Sequence, residues 1–220
     1  MSEEHNRKME SIRRRNALRA ARHFGPDGPG ALYDIGVGPP HKGEFRHYKN
    51  RFPKIELYGC EPNPVLFSKL LPMFQGKLIQ TAISDQPEVD LYMECDNHKT
   101  FGRSSIHPVK GLASNTLTCS ALTLDEFDRQ CGQPDNILLW MDIEGSELIA
   151  LKTGEELLSS GRVRAINLEV RSDTRGHKEW PTDREIRTWL EERGWTLSDK
   201  YNNHKTHWDV IYIPAEETQL

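Results

Sequence analysis

The chain is 220 residues long, enough for one domain whose core is well above the marginal size. Its net charge of −4, from 29 Lys and Arg against 33 Asp and Glu, argues against bulk attraction to nucleic acid or to an anionic membrane. With 36% apolar residues and a mean hydropathy of −0.70, the hydrophobic side chains must gather in a few dense segments, and the longest, 137–141, is far short of the roughly 20 residues of a membrane helix.

The first thirty residues lack the apolar stretch of a secretory signal, so a cytoplasmic location is expected. Cys60, Cys95, Cys119 and Cys131 form no CxxC pair and read as reduced thiols. Residues 1–24 carry a local excess of +4, and Met9, Ile12, Ala17, Leu18, Ala20 and Ala21 partly follow helical spacing. They predict an N-terminal helical segment that packs as a lid or as a subunit contact, which leaves a homo-oligomer through this helix open. Gly25-Pro26-Asp27-Gly28-Pro29-Gly30 is a linker, residues 25–30, and residues 31–220 form the main domain.

Beyond the linker, dense apolar runs at 31–37, 55–60, 77–83, 137–141 and 163–170 read as strands buried on both faces. Segments 42–51, 64–74, 124–130 and 146–158, the last interrupted at Gly154, read as helices, and 94–118 as a long irregular stretch. Thr182-Asp183-Arg184-Glu185 is a capping box that opens a helix with Ile186, Trp189 and Leu190 on its buried side, closed near Gly194. Runs 195–201 and 207–213, joined by polar residues 202–206, then make an antiparallel hairpin. The expected fold is α/β: a mostly parallel seven-stranded sheet, helices on both faces and an antiparallel C-terminal hairpin, the order of Rossmann-like class I methyltransferases.

Gly36 and Gly38 stand at the end of the first strand, where a backbone without Cβ atoms lets a nucleotide-like ligand approach, and Glu61 ends the second strand, where an acid accepts hydrogen bonds from two ribose hydroxyls. A dinucleotide needs free amides at the next helix start to hold its pyrophosphate, but Pro39 and Pro40 occupy that stretch and have no N–H to offer. NAD is disfavoured. S-adenosylmethionine carries no phosphate, and a glycine turn with a ribose-binding acid is sufficient for it.

Asp34-Ile35-Gly36, Glu61-Pro62-Asn63-Pro64, Ala82-Ile83-Ser84-Asp85, Ser104-Ser105-Ile106, Thr123-Leu124-Asp125-Glu126-Phe127, Met141-Asp142-Ile143-Glu144-Gly145-Ser146-Glu147 and Leu168-Glu169-Val170 occur in that order. Together they resemble the FkbM-type methyltransferases over residues 31–171. The resemblance implies a class I fold, S-adenosylmethionine as donor and O-methyl transfer to a hydroxyl of a sugar or natural product. It also implies that Asp34, Gly36, Gly38, Glu61 and Pro62 bind the donor, and that Ala82, Ile83 and Ser84 flank its adenine. The chain departs from the family at Val37-Gly38-Pro39-Pro40, where an alanine, an asparagine and a further glycine usually follow the first glycine.

Ligands gather at the carboxyl ends of the strands in an open α/β sheet, so Asp142, Glu144 and Glu169 face the reacting methyl group. A hydroxyl loses its proton as it attacks, which calls for a general base or a metal, and carboxylates there suit either role; a divalent cation, Mg²⁺ or Mn²⁺, is left open. Asp142 also suits the donor's amino group, and Glu144 and Glu147 suit the dipole of the following helix. His207 and His204 near the hairpin loop, with His41 after the glycine turn, are further base candidates. Ser104, Ser105, Arg171, Arg175, His177 and Trp180 lie in polar stretches that suit substrate contact. A small molecule or glycoside is the expected acceptor. Nucleic acid is disfavoured because residues 25–220 carry −8 once the N-terminal +4 is set aside. A non-catalytic donor-binding module is the remaining alternative.

Overall fold

A computed structural model describes residues 11, 18–40, 43–93, 104–108, 116–171, 180–201 and 207–215. Seven strands build the main sheet: β1 (Ala31–Ile35), β2 (Glu56–Cys60), β3 (Lys77–Ile79), β8 (Ile137–Met141), β9 (Val163–Arg171), β10 (Trp195–Tyr201) and β11 (His207–Pro214). Their spatial order is β10-β11-β9-β8-β1-β2-β3. The pairs from β3 to β9 are parallel, whereas β11 runs antiparallel to both β9 and β10. This is the expected sheet, with its strand order reversing between β1 and β8.

Successive residues of a strand point to opposite faces, and this alternation divides the core in two. Tyr33, Ile35, Leu139, Met141 and Leu168 pack under α3 (Leu124–Gln130), α4 (Glu147–Lys152), α5 (Glu155–Ser159) and α6 (Asp183–Glu191). Leu32, Leu138, Trp140, Ala165 and Ile211 pack under α1 (Phe45–Arg51) and the end of α2 (Pro64–Leu70). The capping boxes of α3 and α6 are both formed, with Thr123 paired to Glu126 and Thr182 to Glu185. Under α3, Tyr33 Oη donates to Asp128 Oδ1 at 2.7 Å and Arg162 Nη2 to Asp128 Oδ2 at 2.5 Å, which satisfies that buried acid.

Two expectations are corrected. The run 77–83 is not one strand: β3 ends where β2 ends, at the Cys60 and Ile79 pair, and β4 (Ala82–Ile83) pairs with β7 (Thr116–Leu122) instead. With β5 (Glu88–Met93) and β6 (Ser104–Ser105), which pair antiparallel, these strands form a second sheet in the order β4-β7-β5-β6, so residues 104–105 and 116–118 of the stretch 94–118 are strand. The N-terminal segment is described only in part. Residues 20–23 form a short 3-10 turn on the sheet, with Ala20 fully buried and Leu18, Ala21 and Phe24 packed on the α1 face. Arg19 and Arg22 pair with Asp199 at 2.9 and 2.5 Å, so residues 18–24 pack on the domain; 1–10 and 12–17 lie outside the described residues. Among the described residues no helix is long and apolar enough to cross a membrane.

Candidate active site

The turn after β1 is built by its neighbours. Gly36 has φ +79, and a Cβ there would sit 2.5 Å from Asp142 O, so strand packing itself excludes a side chain. The N–H groups of Gly36 and Val37 donate to Cys60 O, and Gly38 N donates to Glu61 Oε2 at 2.9 Å. Glu61 Oε1 accepts Asn63 N at 2.9 Å, and Asn63 in turn caps α2 through Val65 N and Leu66 N. Glu61 thus joins the glycine turn to the end of β2. Burial pushes its carboxyl up to about 7 against those two N–H donors.

Asp34 lies one row deeper and is 1% exposed. It accepts the Phe45 N–H, while its Oδ2 is buried with no hydrogen-bond partner among the described residues. Burial, with Asp142 and Glu61 nearby, pushes this acid up to about 7. An orphaned carboxylate oxygen, the Glu61 oxygens and a turn free of Cβ atoms at Gly38 fit a ligand that brings a ribose diol and a cationic group.

The strand register collects more acids at the same place. Asp34 faces the way of Trp140, Asp142 follows that alternation beyond β8, and Glu169 and Asp209 are direct partners on β9 and β11. Glu44, half-buried before α1, completes the group, and its carboxyl is pushed well up by burial and then by Asp34, Asp142 and Asp209. Glu169 is also raised, by burial first, then by Asp142 and Glu144, against the opposing charge of Arg171. His207 Nε2 lies 3.9 Å from Glu169 Oε1. Among the described residues no group of three or more His, Cys, Asp and Glu side chains could hold a metal ion.

Glu147 is turned elsewhere, and Glu144 meets the group only through Arg171. Glu147 Oε1 accepts Ile143 N and Gly145 N at 3.2 and 3.3 Å, so this buried acid shapes the turn after β8, and burial pushes it up to about 7. Glu144, at φ +50, points to Arg171 Nη2 at 3.3 Å, and its carbonyl accepts Ser105 Oγ at 2.9 Å. Ala82, Ile83 and Ser84 are buried, and Ile83 packs with Ile35 and Cys60 beside the glycine turn. Pro62 is half-buried next to Glu61. His41, His204, Arg175 and His177 lie outside the described residues. Sequence reasoning missed Glu44 and Asp209. An acid inside the apolar run Trp208 to Ile213 was the available signal for Asp209.

A parallel sheet reversing between β1 and β8, with a glycine turn, a β2 acid and carboxylates at the strand ends, defines a class I methyltransferase. The methyltransferase FkbM domain matches residues 34–196, so the chain belongs to that family and uses S-adenosylmethionine as its methyl donor. No curated protein matches the chain. Among solved structures, fibrillarin from Aeropyrum pernix with natively bound S-adenosylmethionine is 16% identical at a TM-score of 0.50, over 90% of this chain and 76% of its own. Magnesium protoporphyrin IX methyltransferase from Synechocystis, with bound S-adenosylmethionine, is 11% identical at 0.47, over 96% and 79%. Precorrin-6y C5,15-methyltransferase from Geobacter metallireducens is 15% identical at 0.48, over 91% and 87%. At 16% identity the likeness to fibrillarin shows the fold alone.

Proposed function

We propose that the protein transfers the methyl group to a hydroxyl oxygen of a small molecule, sugar or natural product. The observation that carries this reading is the Glu169 and His207 pair at the strand ends, where a carboxyl oxygen lies 3.9 Å from an imidazole nitrogen. A hydroxyl must give up its proton as it attacks, and an imidazole beside a carboxyl group is suited to take it. A neutral amine can attack before it loses a proton and needs no such base. The bound donor supplies a methyl group on a sulfonium.

The chain's own residues divide the remaining work. Glu61 accepts from the ribose hydroxyls, Gly36, Gly38 and Pro62 shape the turn around the donor, and Ala82, Ile83 and Ser84 border the adenine. Asp34 and Asp142 receive the donor's ammonium. The Glu169 and His207 pair takes the acceptor's proton. A net charge of −8 over residues 25–220 favours a small acceptor over a polyphosphate chain.

Donor labelled with carbon-13 in the methyl group, incubated with the protein and a panel of glycosides, polyols and transfer RNA, reads the acceptor atom directly. A methoxy signal on a small hydroxyl compound is expected. An N-methyl or C-methyl product, or methylated RNA, would overturn the reading.

A further inference from the structure

Arg171 closes β9, and its guanidinium is turned inward onto groups from three segments. Nη2 lies 3.3 Å from Glu144 Oε2 and 3.7 Å from Glu169 Oε1, and the guanidinium carbon is 4.3 Å from the centre of the Trp180 ring. The two carboxylate side chains and the Arg171 side chain are 19–22% exposed, between a solvated surface pair and a buried one.

Each partner is fixed in its own right. Glu144 is held through its carbonyl by Ser105 Oγ, and Gly145 lies so close under Trp180 that a Cβ would approach the ring to 2.3 Å. Glu144, Glu147, Glu169, Arg171 and Trp180 enclose a cavity of about 10 Å³, the size of one water. A planar guanidinium stacks on the ring with one face while its N–H groups reach the carboxylates in plane.

We propose that Arg171 is the positioning residue of the acceptor site: it ties the end of β9 to the Glu144 turn and keeps the Glu169 carboxylate directed at His207. This rests on the reading that Glu169 and His207 take the acceptor's proton. The charged groups facing Glu169 are Asp142 and Glu144 from the β8 end, Arg171 on its own strand, and His207 and Asp209 from β11. Arg171 offsets the repulsion among those acids and, through the Trp180 stack, does so from one fixed place.

Carbon-13 detection of glutamate carboxyl groups in the full-length protein tests this without any acceptor, with Glu169 assigned through Glu169→Gln. In Arg171→Gln the Glu169 midpoint should rise by about one pH unit, a tenfold gain in proton affinity, because an opposite charge within 4 Å is lost. Arg171→Lys keeps the charge and should return most of that shift, while affinity for S-adenosylhomocysteine should stay at the wild-type value in both. Should Arg171→Gln fail to fold, Arg171→Met keeps the stem over Trp180 and should show the same rise. An unmoved Glu169 midpoint in a folded variant lacking the charge overturns the proposal. A methyl group found on nitrogen or carbon would remove the base reading and leave the titration result standing, so the two failures are distinguishable.

Discussion

Glu61→Ala separates donor binding from folding in a measurable way. The carboxylate accepts Gly38 N and Asn63 N, both at 2.9 Å, and is 3% exposed, so its loss strands two N–H groups in a nearly dry site. Hydrogen bonds to a charged acceptor contribute about 1.5–3 kcal/mol each, and water entering the gap recovers part. Relief of a carboxylate whose ionisation burial already disfavours offsets more. The expected net loss of stability is about 2 kcal/mol, read from urea midpoints. Donor affinity should fall at least tenfold. At a concentration 100 times the wild-type dissociation constant, S-adenosylhomocysteine stabilises the native protein by about 2.7 kcal/mol, and a tenfold weaker site would show about 1.4. Denaturation with and without ligand, supported by calorimetric titration, measures both quantities. A folded variant that keeps the full ligand-induced stabilisation would refute the assignment of Glu61 to the donor.

Asp142→Asn should lower turnover by about 10² with little change in melting temperature, because this exposed acid lies at the strand end and not in the core; turnover near wild type would place the chemistry elsewhere, and assays with EDTA and then Mg²⁺ read any metal contribution. Asp34, Glu61 and Glu147 each sit at about 7 in the folded protein, above the ordinary carboxylate range, so the folded state holds protons more tightly than the unfolded one. The stability these three groups contribute is then greatest at acidic pH and falls as pH rises from about 4 through 7, by up to about 3 to 4 kcal/mol per group, and a melting temperature at pH 8 above that at pH 6 would contradict this. Deleting residues 1–24 removes Ala20 from the core and two ion pairs from Asp199, and should cost about 2 kcal/mol or more; an unchanged urea midpoint would count against the packing described.

The seven-stranded sheet was legible because parallel strands buried on both faces must be apolar throughout, and 137–141 and 163–170 stand out for that reason. The split at residues 80–81 had a signal that was passed over, the polar pair Gln80 and Thr81, although only the end of β2 decides where pairing stops. The small sheet did carry a signal: Val89 and Leu91 in β5, and Leu117, Cys119 and Ala121 in β7, alternate with polar residues. Gly36 and Glu61 were readable from their places at strand ends. Glu44 was not, because an acid at a helix start is ordinary until the fold brings Asp34, Asp142 and Asp209 around it.

Burial raises the proton affinity of both Asp34 and Glu61, but in different surroundings, and the difference can be tested. Glu61 has both oxygens on backbone N–H groups, so an amide in its place sets an NH₂ against one of those donors. Asp34 has one such donor, from Phe45, and an oxygen without a partner among the described residues, with Asp142 adding repulsion. Asp34→Asn keeps an acceptor for Phe45 and removes a charge that burial and Asp142 both oppose. At pH 8 it should therefore stabilise the ligand-free protein by about 1 kcal/mol, the relief of an ionised acid less the burial of an amide. Affinity for S-adenosylhomocysteine should fall in the same variant, because the negative charge that meets the ligand's ammonium is gone. Higher stability with weaker binding is the expected signature of a residue kept for its ligand. Loss of both would mean that the Asp34 carboxylate is held by the fold itself, and that the cationic end of the donor rests on Asp142 and Glu44.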